Sequence, residues 1–114
     1  MIKRIDENPR MSQAVIHGGL VYLSGQIDPS MAPSVTGQTR AILTRIDDLL
    51  KQAGSGKDRL IGAQIWLTDM RCFDEMNAVW DDWIGGQNAP ARATVEARLA
   101  HPDLLVEIAV TAAQ

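Results

Sequence analysis

Between Thr36 and Ala53 the apolar residues fall on one side of a helix. Leu43, Ile46, Leu49, Leu50 and Ala53 stand 1, 4, 7, 8 and 11 positions after Ile42, a broad stripe that only a second layer of structure can cover. Gly54-Ser55-Gly56 stops it. A second stripe of helical spacing, Phe73, Met76, Trp80, Trp83 and Ile84, ends at Gly85-Gly86. Around the two stripes the pattern changes to alternation. Gln13–Ile27 reads as two β-rich runs split by Gly18-Gly19, a hairpin signal, because glycine accepts the positive φ of tight hairpin turns. Asp28-Pro29-Ser30 and Ala32-Pro33-Ser34 mark a loop, and Arg59–Leu67 reads as a strand. Ala93, Val95, Ala97 and Leu99 alternate with polar residues, as do Leu104, Val106, Ile108 and Val110 with Leu105, Glu107, Ala109 and Thr111. The expected order is β-β-α-β-α-β-β. One-sided helices place both on a single face of a mixed sheet, an α+β layer pair. The other face, bearing Tyr22 and Trp66, is then left for a partner subunit.

With 114 residues there is room for one domain, 1–114, and its 46% apolar and 22% charged residues fit a globular chain that needs no staple. No apolar run approaches the roughly 20 residues of a membrane span, and MIKRIDENPR lacks the apolar stretch of a signal peptide. The lone Cys72 fits a reducing, cytoplasmic setting. A net charge of −3 speaks against binding nucleic acid through phosphate neutralisation. His17, Cys72 and His101 lie far apart, so no metal-ligand spacing appears, and the glycine-rich phosphate loops and the GxSxG elbow are absent. Chemistry must then come from carboxylates, arginines and backbone amides.

Two residues stand out. If the final two strands form a hairpin about His101-Pro102, partners sum to about 203 and Glu96 faces Glu107, an arrangement that raises the pKa of one carboxyl unless Arg98 intervenes. Glu107 also sits among Leu105, Ile108 and Ala109, and a desolvated glutamate suits proton transfer near neutral pH. Arg92, placed opposite Thr111, can grip a carboxylate through two parallel hydrogen bonds. Each has an ordinary alternative: a strand glutamate paired with Arg98, and a solvated arginine. On that register the two lie about 13 Å apart along the strand. This is long for one small acid, so a complete pocket is expected to take Arg92 from one subunit and Glu107 from its neighbour.

Ser24-Gly25-Gln26-Ile27, Gln38, Asn77, Pro90-Ala91-Arg92 and Val106-Glu107-Ile108, with Glu107 15 positions after Arg92, occur in a familiar order. Over its full length the chain resembles the YjgF/RidA family, the reactive-intermediate deaminases. The resemblance implies a chorismate-mutase-like α+β fold, a cytoplasmic homotrimer with sites between subunits, and hydrolysis of enamines and 2-imino acids to 2-keto acids and ammonia without a cofactor. It implies that Arg92 holds the substrate carboxylate, that Glu107 activates water, and that Ser24, Gly25 and Asn77 line the pocket. Met11 stands where many members have tyrosine and Thr94 where many have cysteine. Thr94 keeps a hydroxyl on the strand face of Arg92, whereas Met11 is apolar. These departures point to a divergent branch with a different substrate side chain. The alternative is a trimer that binds or senses a small carboxylate without turnover. Ribonuclease action, also attached to the family, fits the acidic balance least.

Overall fold

The structure, a computed structural model, describes residues 1–114. Strands β1 (Lys3–Ile5), β2 (Ala14–His17) and β3 (Leu20–Leu23) lead to helix α1 (Val35–Gln52). Strand β4 (Leu60–Leu67), helix α2 (Phe73–Ile84), β5 (Ala91–Glu96) and β6 (Val106–Ala113) follow. The turn between β2 and β3 takes positive φ at both Gly18 (60°) and Gly19 (78°), which matches the twist of the hairpin it closes. Ser34 caps α1 by accepting from the Gly37 N–H at 3.0 Å. Asp74 and Glu75 sit in the first turn of α2, where the helix dipole favours negative charge.

Both helices cover one face of a six-stranded mixed sheet, as the stripes require. Ile42, Ile46 and Leu50 of α1 are fully buried against a sheet layer that includes Ile65, Leu67, Val106 and Ile108. Leu43 and Met76 are buried where α1 meets α2. The expected elements are all present, and β1 is an addition: only three residues long, it lacks the length to show an alternation.

The strand order is β1-β2-β3-β6-β4-β5, which corrects the expected final hairpin. Strand β5 does not pair with β6 but runs parallel to β4, with Arg92 beside Ala63 and Thr94 beside Ile65. Strand β6 is inserted antiparallel between β3 and β4, so Thr111 lies beside Tyr22 and Gly62, and Ala109 beside Gln64. Glu107 lies beside Trp66, and Glu96 beside Leu67, so the two carboxylates never face each other. The physical reason is the crossover. A strand, helix and strand joined in succession give parallel neighbours, and β4-α2-β5 is such a unit. The segment 97–105 then passes over the end of β4: Ala97 N–H donates to Leu67 O at 2.9 Å, and Thr68 N–H to Leu105 O at 3.2 Å. His101 serves that loop as a turn residue, its Nδ1 accepting from Asp103 N–H at 3.0 Å.

Gln38 pins this loop to α1. Fully buried, it donates to Ala32 O and Asp103 O at 2.8 Å each and accepts from Leu105 N–H at 2.8 Å. The start of β6, and so Glu107 one residue on, is fixed by one satisfied amide. No helix is long and apolar enough to cross a membrane.

Candidate functional site

Alternation along β5 sends Arg92 and Thr94 towards α2. The Arg92 guanidinium lies over the rings of Trp80 and Phe73, its Cζ 5.3 Å and 5.9 Å from their centroids. Phe73, Asn77 and Trp80 occupy one face of α2, four and then three residues apart, so Asn77 stands between the two rings. Arg92 has no carboxylate within ion-pair reach in its own chain, where Arg71–Asp69 is the sole ion pair. Two buried polar atoms here, Asn77 Oδ1 and Thr94 Oγ1, have no hydrogen-bond partner. Buried polar groups are nearly always paired, so a cluster holding two orphans and a free cation is built to meet something else.

Glu107 belongs to the other face. Val106, Ile108, Val110 and Ala112 of β6 are buried in the core, and the alternate residues, Glu107 first, point away from the helices. Its carboxylate rests on Gly25: a Cβ at that position would overlap Oε2 and stand 2.9 Å from Cδ. Desolvation raises the Glu107 carboxyl above the ordinary 4.5, and no hydrogen bond offsets it. The close approach follows from a bend after β3. Tyr22 pairs with Thr111 and Gln26 with Ile108, so four residues of one strand span three of the other, and Ser24-Gly25 bulges over Glu107. The Gly25 N–H donates to no group of the chain.

The bend is held by side chains. Gln26, buried, donates to Gln13 Oε1 at 2.9 Å and to Ser24 O and Oγ at 3.1 Å each. Ser24 Oγ donates to Gln13 Oε1 at 3.2 Å, and Arg45 Nε to Gln26 Oε1 at 3.3 Å. Next along the chain, Asp28 accepts from Ser30 Oγ (2.7 Å), Ser30 N–H and Ala32 N–H (3.0 Å each). Burial alone would raise its carboxyl, but these bonds and the charge of Arg45 hold it below the usual range. Asp28 is therefore a fixed anion that shapes the loop. Met11, before β2, is 40% exposed and closes a turn with Asn8.

The predicted residues thus form two groups, with Arg92, Thr94 and Asn77 on the helix side and Glu107 against Gly25 across the sheet, while Ser24 turns its hydroxyl to Gln13 and Gln26 and Met11 lies in the turn before β2. Arg92 and Glu107 are two strands and three positions apart, about 14 Å between backbones, and point to opposite faces. One chain does not bring them together. The hairpin arithmetic gave a similar separation for a wrong reason. Phe73 and Trp80 escaped the sequence reading as site residues because their spacing is that of any core stripe; the signal was Asn77, a polar residue set between two aromatics on one helix face. The largest concavity, about 770 Å³ between α1 and α2, is elsewhere. Its walls are tied to each other, Glu75 accepting from Thr36 N–H and Oγ1 and Asp47 from Trp83 Nε1.

Comparison with known proteins identifies the family of the chain and its fold. A sequence model of the family described as Endoribonuclease L-PSP matches residues 1–114. A RutC family protein of Haemophilus ducreyi is 41% identical over 113 residues, spanning 99% of this chain and 97% of the relative. The RutC family protein YoaB of Escherichia coli is 38% identical over 112 residues, or 98% and 97% of the two chains. The crystal structure of NMB1025, a YjgF family protein of Neisseria meningitidis, superposes with a TM-score of 0.97 at 42% identity, covering 100% of this chain and 95% of that one. Match over the whole length, in sequence and in fold, makes this chain a member of the YjgF/RidA family, the family of the Endoribonuclease L-PSP description.

Proposed function

We propose that the protein hydrolyses short 2-enamino and 2-imino acids to 2-keto acids and ammonia, without a cofactor, in sites shared between neighbouring copies of a cytoplasmic homotrimer. The observation that carries this reading is the division of the candidate residues between the two sheet faces: an unpaired guanidinium on one, a desolvated carboxylate on the other. Each is half of a site, and symmetric assembly supplies the missing half from an identical chain.

In this scheme Arg92 binds the substrate carboxylate by two parallel hydrogen bonds and so orients the imine carbon. Glu107 removes a proton from a water as its oxygen bonds to that carbon, giving a tetrahedral carbinolamine. The same carboxyl passes that proton to the imine nitrogen. It then takes the carbinolamine hydroxyl proton and delivers it to the same nitrogen as the C–N bond breaks and the C=O bond forms, so that ammonia leaves behind the 2-keto acid. Desolvation equips Glu107 for both steps by bringing its pKa towards neutrality. The free Gly25 N–H is available to developing negative charge, and Thr94 and Asn77 offer their unpaired atoms to the substrate or its water. Ser24 serves the Glu107 side by holding the bend that seats Gly25 over the carboxylate, and Met11 is assigned to the pocket on the family resemblance.

The test is an imine-generating amino-acid oxidase coupled to keto-acid detection. Wild-type protein should accelerate keto-acid release, and Arg92→Ala and Glu107→Gln should each lose about 100-fold or more. Full acceleration by Arg92→Ala removes its assigned role. The second reading, a carboxylate sensor, draws on the same free Arg92; it predicts that Glu107→Gln binds a 2-keto acid unchanged and that the wild type turns nothing over. Cleavage of RNA, which the family description names, is disfavoured by the net charge of −3.

A further inference from the structure

Strand β5 is the edge of the sheet, and no hydrogen bond or ion pair from its own chain restrains the Arg92 side chain. A long side chain in that position ordinarily samples many rotamers. What restrains this one is the pair of aromatic faces beneath it, Trp80 at 5.3 Å and Phe73 at 5.9 Å from Cζ. Trp80 is only 4% exposed and packs against Trp83, with ring centroids 5.3 Å apart, so it cannot swing away.

We propose that Phe73 and Trp80 are positioning residues that hold the Arg92 guanidinium as a preformed receptor for a carboxylate. The chemistry suits the task. A cation stacked on a ring is bound through its flat face, while a carboxylate is bound through the N–H groups at its edge. Contact with the rings therefore restrains the arginine while no carboxylate or carbonyl of its own chain occupies its donors. An ion pair to an Asp or Glu of the same chain would fix it equally well but would use the fork that the ligand needs. The aromatic faces also lower the cost of ordering the side chain when the ligand arrives, since that ordering has already taken place. The identity of the anion rests on the deaminase reading; the clamp is a property of this chain alone.

The experiment follows the Arg92 Nε–Hε resonance in 15N-labelled full-length protein, assigned by its loss in Arg92→Lys. In wild type it should be displaced by the ring currents and should move towards the solvent-exposed arginines in Phe73→Leu. Trp80→Phe, which keeps a ring and spares the core, should retain most of the displacement. Titration with pyruvate as the probe should give a Kd raised about threefold to tenfold in Phe73→Leu. The same substitution in an Arg92→Ala background should leave Kd unmoved, a result that a merely structural role does not produce. A wild-type Arg92 resonance at the position of a free arginine overturns the clamp, whatever the activity. A displaced resonance in a protein that neither binds pyruvate nor hydrolyses imines leaves the clamp standing and removes the deaminase reading.

Discussion

Glu107 meets opposed demands from stability and chemistry. Its carboxyl is desolvated against Gly25 with no hydrogen bond in return, so the folded state holds the proton more tightly than the unfolded chain. A raised folded pKa gives stability that is complete below the ordinary value of 4.5 and is lost as pH rises through the raised one. Glu107→Gln should therefore melt above wild type at pH 7 and converge with it in acid, as thermal unfolding across pH will show, even though the variant loses turnover. The acidic limb of kcat/KM should fall at a pKa above 4.5 for the same reason. Gly25 provides the converse case. Its backbone suits any residue, but a Cβ would displace the Glu107 carboxylate. Gly25→Ala should cost about 100-fold in kcat while the fold persists, because a shift of about an ångström suffices to misplace a catalytic group. Steady-state kinetics beside a melting curve separates the two effects.

Among the elements, β6 decides the site, and its position depends on a residue it does not contain. Gln38 of α1 satisfies three backbone groups of the Ala32 and Asp103–Leu105 segments, which fixes where β6 enters between β3 and β4. Gln38→Leu leaves those buried groups without partners and should cost about 3 kcal/mol in urea unfolding. Helix α2 has a comparable double duty. Its buried residues Met76 and Trp80 pack the core, while Phe73, Asn77 and Trp80 form the wall that faces Arg92. The helix that carries the chain from β4 to β5 thus also builds half of the proposed site on the strand it delivers.

At the scale of the whole molecule, the separation of Arg92 and Glu107 on opposite sheet faces turns the proposed trimer into a direct prediction. Arg92→Ala and Glu107→Gln, each inactive alone, should recover activity when their subunits are unfolded together and reassembled one to one. If a site takes Arg92 from one protomer and Glu107 from the next, random mixing leaves about a quarter of the sites intact. Sites confined to single chains would recover nothing. The open sheet face supplies a surface for such an assembly. Small residues (Gly62, Ala91, Ala93 and Ala109) leave a shallow depression of about 530 Å³ beside the exposed ring of Tyr22. Side chains of that size let another backbone approach closely.

Local order was readable directly from the residues. Helical and alternating periods state which face of most elements is buried, and glycine pairs and caps state where elements end, because both are settled within a few neighbouring residues. Edge strand β5 is the exception, its apolar Ala93 and Val95 lying exposed while Arg92 and Thr94 turn to the helices. Ile42–Ala53, the Gly18-Gly19 turn and Phe73–Ile84 were legible for that reason, as was the desolvation of Glu107 in an apolar strand. Strand neighbours were not. The alternation in Ala91–Glu96 and Val106–Ala113 is the same whether the two strands pair or β4 lies between them, and only the crossover through α2 and the loop over the end of β4 chooses. With that choice came the rest of the site: Glu107 against Gly25, Arg92 on its two rings, and the two groups on opposite sides of a sheet. Those relations join residues far apart in the chain, and folding in three dimensions alone establishes them.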